Sequence, residues 1–377
     1  MRVLFVGPYR QNDGWGCAAQ DYLGALLLTG HDVSAKPVYL STNVSGDISD
    51  DIKKAEANQF SERPDVVIQN TLPSAMDYQG GMKNIGLLYL ETHNIADTGW
   101  IYKMNLMDEI WAGTNSEHIA LTGSGLKVPT AKIDMPFNPD RVFLDAKKME
   151  IEDTDDCFIF YFIGEYVERK NEKALSMAFH REFHPTEPVR LILKLHKTGY
   201  NPVELQQEVS EHLQVLKTHM GLYEQSYGYI PEFSITDRLT EQEMSELHVL
   251  GDCLVIPSRG ESFCRPVMDA LYMNNNVIVT DQTGMVDTVG IYGLKANSHE
   301  APVLVGNKPI PNLYTSRETW REVDIIDLQR CMRKAYAYRD VTRKLTDRQI
   351  SRDYILDRFS YSAVASQINK ALERACK

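Results

Sequence analysis

The chain has 377 residues, 43% hydrophobic and 24% charged, the composition of an ordinary globular protein, at a length that predicts two domains of about 100–200 residues each. Its 40 Lys and Arg against 52 Asp and Glu leave a formal charge of −12, which disfavours nonspecific binding to nucleic acid or to an anionic membrane. No apolar run approaches the roughly 18 residues of a membrane span, Met1–Gly7 is too short a run for a signal peptide, and the 6 cysteines (Cys17, Cys157, Cys253, Cys264, Cys331, Cys376) include no CxxC pair, so a reducing, cytosolic compartment is expected.

Arg2 to Gly7 reads as a buried parallel strand, short, β-branched and ended by Gly-Pro. A polar loop, Gln11 to Gly16, precedes a helix that ends at Gly30, with Tyr22, Leu23, Leu26 and Leu27 on one stripe. Strands are expected at Val33–Leu40, Pro64–Gln69, Ile85–Leu90, Glu109–Ala112 and Lys132–Met135, with Gly113 to Ser116 as a turn and helix cap. Asn138 to Arg141 is turn chemistry, and Asp145 to Asp156 is charged and poor in large apolar residues, which sets a domain boundary at 150/151. The strand pattern restarts at Cys157–Ile163, ends in Gly164, and continues at Val189–Leu195 and, more weakly, at Tyr227–Ile230. Thr240 to Glu243 has capping-box spacing ahead of a helix stripe of Met244, Leu247 and Leu250. Cys253–Ile256 is a strand, Pro266 starts a helix, and Asn276–Thr280 is a strand again. From Asp327 to Lys377 the pattern is helical. Strands alternating with helices imply parallel sheets covered on both faces. The expected fold is α/β: a Rossmann-like domain at 1–150, a second at 151–350, and a helical tail at 351–377.

Two turns carry the candidate chemistry. The first is Ile256 to Tyr272, a strand end, a polar Ser-Arg-Gly loop and a helix start, with Glu261 on the loop and Asp269 expected in the first helical turn. The N–H groups near Phe263, Cys264 and Arg265 form a candidate anion site at the positive end of the helix. Acids on either side of it suit the hydroxyls flanking a diphosphate, as in a nucleotide-sugar. They read equally as a solvated loop acid and a helix-start charge. The second turn is Gly164 to Asn171, where Arg169 and Lys170 sit near a helix start that disfavours cations unless an anion offsets them. Lys194, inside an apolar strand, is a weaker candidate. His180 and His184 at i, i+4 lack a third metal ligand. The run Arg330, Arg333, Lys334, Arg339, Arg343, Lys344, Arg348, interleaved with Tyr336 and Tyr338, reads as a solvated helix face or as a contact for an anionic acceptor.

In this order and spacing the two turns resemble retaining GT-B glycosyltransferases, in particular family 4 (group 1). That family's E-G-F-G-x-P-x-x-E-A is read here as Glu261-Ser-Phe-Cys-Arg-Pro-Val-Met-Asp269-Ala, and its G-R-x-x-x-x-K-G/N loop as Gly164 to Asn171. Ile256-Pro-Ser-Arg259, Val277 to Gly284 and Asp108 to Ser116 also fit, and His93 follows a strand where the family places a His near the donor sugar. The resemblance covers most of the chain. It implies a two-domain enzyme that closes on an NDP-sugar, UDP- or GDP-linked, and transfers the sugar with retention across the interdomain cleft.

The resemblance also assigns roles. Glu261 would hold hydroxyls of the transferred sugar, Asp269 the ribose, and Lys170 with Arg169 the diphosphate. Ser262, Phe263 and Cys264 would assist through the loop, and Gly164 would open the second turn. Gly14 and Gly16 would let backbone approach the phosphates and acceptor, and His93 would contact the donor sugar or reacting centre. No metal and no further cofactor is implied. The acceptor is open among glycan, lipid-linked sugar, protein and modified nucleobase, as is peripheral membrane contact. Asp for the second Glu, Ser-Phe-Cys for Gly-Phe-Gly and Glu165 for the usual Arg bear on the donor, with Arg169 or Arg265 as the substitute cation. Cys264 reads as a small buried residue in a glycine slot rather than a nucleophile. Alternatives are a 2-epimerase on the same donor and a non-catalytic sugar-binding module.

Overall fold

A computed structural model describes residues 1–376 except 42–43, 45–46, 97, 225–227, 304–314, 316 and 340–348. The chain forms two compact units. One comprises Met1–Pro139, Pro302–Thr319 and Tyr354–Lys377, the other Asp140–Ala301 and Trp320–Asp353.

The first unit is built on β1 (Arg2–Gly7), α1 (Gly14–Leu27), β2 (Asp32–Pro37), α2 (Asp50–Ala57), β3 (Val66–Asn70), β4 (Lys83–Leu88), α3 (Trp100–Met104), β5 (Glu109–Ala112), α4 (Asn115–Gly123) and β6 (Thr130–Lys132). Its six strands are parallel in the order β2-β1-β3-β4-β5-β6. β3 and β5 are buried along their whole length, as strands covered on both faces must be. The carboxylate of Glu117 stitches two strand-end loops. It accepts from Leu90 N at 2.7 Å, Gly113 N at 2.7 Å and Thr114 N at 2.9 Å.

The second unit contains β7 (Phe158–Glu165), α5 (Glu172–Glu182), β8 (Val189–His196), α6 (Pro202–Met220), β9 (Glu232–Ile235), α7 (Glu241–Leu250), β10 (Cys253–Ile256), α8 (Arg265–Tyr272), β11 (Asn276–Thr280), α9 (Met285–Val289) and β12 (Leu294–Ala296). Its six parallel strands run β12-β11-β10-β7-β8-β9. The order reverses between β7 and β10, because β8 lies on one side of β7 and β11 on the far side of β10. In open parallel sheets that reversal leaves a crevice beyond the carboxyl ends of the two strands. The two turns singled out in the sequence are the ones that follow β7 and β10.

Past β12 come β13 (Ser298–Pro302), β14 (Thr319–Val323), α10 (Ile325–Ala337), α11 (Gln349–Phe359) and α12 (Tyr361–Ala375). α12 packs on α1, where Tyr361 Oη donates to Asp21 Oδ1 at 2.7 Å. The expected α/β fold with two parallel-sheet domains and a helical tail is the fold observed.

Several local expectations shift. Gly14 and Gly16 lie in the first turn of α1 rather than in a loop, because Asp13 caps the helix by accepting from Gly16 N at 2.9 Å. The last strand of the first unit is Thr130–Lys132 instead of Lys132–Met135, since Ile110, Trp111 and Ala112 of β5 pair with Thr130, Ala131 and Lys132. β7 runs through Gly164 to Glu165. The strand expected at Tyr227–Ile230 lies instead at Glu232–Ile235, where Leu191 to Lys194 of β8 supply its partners. Tyr227 itself is outside the described residues, as are Arg343, Lys344 and Arg348.

Candidate functional site

The turn after β10 brings Glu261 into a buried position, 8% exposed. The turn after β7 delivers two cations to it. Arg169 Nη1 lies 2.8 Å and Lys170 Nζ 2.6 Å from the same oxygen, Oε1 of Glu261. Burial pushes the Glu261 carboxyl up, but the charges of Arg169 and Lys170 outweigh it and hold the group below the ordinary carboxylate range. Arg169 also donates to Gly260 O at 2.6 Å.

The chain makes this meeting by breaking helix geometry twice. Glu168–Lys170 is a single 3-10 turn, and Asn171 then takes the left-handed conformation at φ 56 before α5 begins. Asn tolerates that region better than most residues. Its amide reaches Glu322 Oε1 at 3.1 Å and Pro257 O at 3.3 Å. Cys264 is left-handed too, at φ 66, and precedes α8 without giving a side-chain cap. A residue with a Cβ thus occupies the backbone region where glycine is easiest. Its thiol is buried, and burial pushes its pKa up to about 12, which keeps it a neutral packing group rather than a thiolate.

Three further residues, to which the sequence assigns no role of their own, support this turn. Arg259 Nε pairs with Glu322 Oε2 at 2.5 Å and its Nη1 with Glu168 Oε1 at 2.9 Å. Its backbone N–H donates to Arg169 O at 2.8 Å. Arg259 and Glu322 thus tie the two turns together, a link between residues too distant in sequence for spacing to reveal. Gly284 donates its N–H to Glu261 O at 3.0 Å. A Cβ there would overlap the carbonyl of Ser262, so glycine alone fits beside the loop. In sequence it is marked only as the end of the Val277 to Gly284 stretch.

The other expected residues fall as follows. Gly164 is the last residue but one of β7, and a Cβ there would overlap the Phe162 ring and touch the Lys170 side chain. Ser262 and Phe263 lie in the loop between Glu261 and α8, both buried. α8 starts at Arg265, with Pro266 as its second residue, so Asp269 lies in the second turn and not the first. There its Oδ2 is 4.0 Å from Arg265 Nε. Arg265 also reaches Glu241, at 3.4 Å, so Arg169 is the second cation at Glu261. Lys194 is buried on β8, gives its Nζ to Leu195 O at 3.1 Å, and has its pKa lowered by burial. Gly14, Gly16 and His93 belong to the first unit. A Cβ on Gly16 would overlap Gln11 O, whereas one on Gly14 meets nothing within 4 Å. His93 lies beyond the end of β4 and gives its backbone N–H to Thr319 O at 3.0 Å.

His180 pairs with buried Glu232, and His184 with Thr186. Among the described residues no group of three or more His, Cys, Asp or Glu could hold a metal ion. The basic run is no single solvated face, because Arg333 pairs with Glu182 and Glu187, both at 2.6 Å. No helix among the described residues is long and apolar enough to cross a membrane.

No family model and no curated protein matches the sequence. Solved structures do match it over nearly its whole length. HepE of Anabaena in complex with UDP-glucose aligns with a TM-score of 0.62 at 14% identity, over 99% of this chain and 100% of that one. Sucrose-phosphate synthase of Thermosynechococcus elongatus aligns at 0.63 and 12%, over 99% and 98%. The trehalose-6-phosphate synthase OtsA aligns at 0.64 and 11%, over 99% of each chain. The likeness establishes the fold, two Rossmann-like α/β domains of the GT-B class.

Proposed function

We propose that this chain is a glycosyltransferase that moves a sugar from an NDP-sugar to an acceptor hydroxyl with retention of configuration. One observation carries the reading: Arg169 and Lys170 converge on Glu261 at the strand-order reversal of a GT-B domain. Two cations crowd one carboxylate oxygen there. A diphosphate presents an oxygen to each of them, so the donor exchanges with Glu261 as their partner and frees that carboxylate for sugar hydroxyls. Lys170 and Arg169 then stabilise the charge that develops on the departing nucleotide, assisted by backbone N–H groups of Phe263 and Cys264 before α8. Asp269 is the residue for the ribose. Gly14, Gly16 and His93 serve the acceptor and the reacting sugar. The reading requires no metal ion and places the enzyme in the cytoplasm.

Two neighbours support the donor and the stereochemistry. HepE was solved with UDP-glucose, and a study of trehalose-6-phosphate synthase describes glycosyltransfer with retention. A screen of UDP- and GDP-sugars that reads out free nucleotide, followed by mass spectrometry of the acceptor, tests the proposal. Absence of release with every donor and acceptor class would refute transfer, and release without any acceptor would point to an epimerase.

A further inference from the structure

Lys194 takes no part in the contact at Glu261, yet its position is costly. It lies near the carboxyl end of β8 and is 6% exposed. Its ammonium has three N–H donors, and the bond to Leu195 O uses one of them. Among the described residues no carboxylate lies within ion-pair distance of it. Burial lowers its pKa, and the charge of Asp237 opposes that shift. A buried ammonium with donors to spare costs free energy until something supplies acceptors.

Strand register fixes which face of the sheet carries it. Lys194 pairs with Ile163 of β7 and Ile235 of β9, and residues paired in this way point to the same side. Asp237 lies two residues beyond Ile235, so the alternation of the strand carries it to that side as well. The same face holds Tyr161, whose hydroxyl meets His248 of α7 at 2.8 Å and feels the charge of Asp269 on α8. Lys194 and Asp237 thus lie on the Asp269 side of the sheet, one and two strands from β7 in the direction away from β10. With strands about 4.8 Å apart, this is where the nucleoside of a diphosphate held at the turns after β7 and β10 extends. Asp237 is exposed. Among the described residues no cation or N–H lies within bonding distance of its carboxylate.

An ammonium beside a carboxylate matches the edge of one base. Guanine offers O6 as an acceptor and, next to it, the donors N1–H and N2–H. A carboxylate has two oxygens for those two donors, and the ammonium turns from the Leu195 carbonyl to O6. Uracil presents a single N–H between two carbonyl oxygens, so a carboxylate that accepts from it sets its second oxygen against a carbonyl. Adenine has no carbonyl for the ammonium. At 14% identity the UDP-glucose of HepE does not fix the base in this chain. We propose that Lys194 and Asp237 determine the donor's nucleobase and select guanine, so that the donor is a GDP-sugar. This rests on the glycosyltransferase reading above and concerns its donor alone.

The test titrates the full chain calorimetrically with GDP, UDP and inosine diphosphate, which is GDP without the N2 amino group. GDP is expected to bind roughly tenfold or more tighter than either of the others. Asp237→Asn, a change at an exposed position, should unfold at the wild-type temperature and lose the preference for GDP over inosine diphosphate. Lys194→Met should weaken GDP and inosine diphosphate alike, by roughly tenfold, because both bases carry O6. UDP binding as tight as GDP binding, or a preference for GDP over inosine diphosphate that survives in Asp237→Asn, overturns the base assignment and leaves the nucleotide site standing. Binding of none of the three overturns the glycosyltransferase reading together with it.

Discussion

Lys170 Nζ lies 2.6 Å from Glu261 Oε1, joining the turn after β7 to the turn after β10. If a diphosphate displaces Glu261 from this lysine, the two partners have separable effects. Lys170→Ala should weaken nucleoside diphosphate binding at least tenfold, about 1.4 kcal/mol. Glu261→Gln should keep that affinity within about threefold while lowering transfer at least a hundredfold, about 2.7 kcal/mol in the barrier. Calorimetric nucleotide titration and a nucleotide-release assay on both variants check this. Unchanged nucleotide affinity in Lys170→Ala would count against the exchange.

The same pair sets an acid limit. The folded-state pKa of Glu261 lies below the ordinary 4.5. Its contribution to stability is therefore fully present above about pH 4.5 and is lost as pH falls through the depressed folded value. Urea midpoints followed from pH 7 to 3 should show wild type losing stability in that acid range. The gap between wild type and Glu261→Gln should close as it does. A gap that stays constant with pH would show that the carboxylate is not held ionised by its two cations.

Three glycines make a graded set. Gly284→Ala and Gly16→Ala should each destabilise by about 1–3 kcal/mol, because each Cβ overlaps a backbone carbonyl, that of Ser262 or Gln11. Gly284→Ala should also impair nucleotide binding by moving the Glu261 loop. Gly14→Ala meets no neighbour and should be neutral or stabilising by up to about 1 kcal/mol. Thermal unfolding of the three variants distinguishes internal packing from a need for ligand access. Lost transfer in a fully stable Gly14→Ala would assign that glycine to ligand approach.

Cys264 should behave as a packed side chain in a glycine conformation. Native protein at pH 8 should leave Cys264 and Cys253 unmodified by a thiol reagent that labels exposed Cys376. Cys264→Gly should retain the fold. Cys264→Val should lose about 2 kcal/mol or more, since a β-branched residue is poorly tolerated at φ 66. Mass spectrometry of the labelled protein and unfolding midpoints provide the readout.

Much of the fold is legible along the chain because its causes are local. Apolar runs such as Cys253–Ile256 and Asn276–Thr280 are strands with those bounds. Thr240 and Glu243 form the capping box that their spacing implies. Glu261, Arg169 and Lys170 could be nominated because acids and cations beside helix starts are locally conspicuous. Their shared contact could not, since it depends on β7 and β10 being adjacent in a sheet whose strand order is not sequential. For the same reason nothing in the local pattern assigns a role to Glu322, or to Arg259 and Gly284 beyond their place in stretches that fit the resemblance. The left-handed backbone of Asn171 and Cys264 was equally hidden, because residue type only permits such a conformation and surrounding contacts impose it. Periodicity, capping and charge over short stretches are enough to set most of the secondary elements, the α/β class and the two turns where chemistry concentrates. That Arg169 and Lys170 meet on one oxygen of Glu261, and that Arg259 with Glu322 ties their two turns together, follows from the folded chain alone, because each depends on distances between segments far apart in sequence.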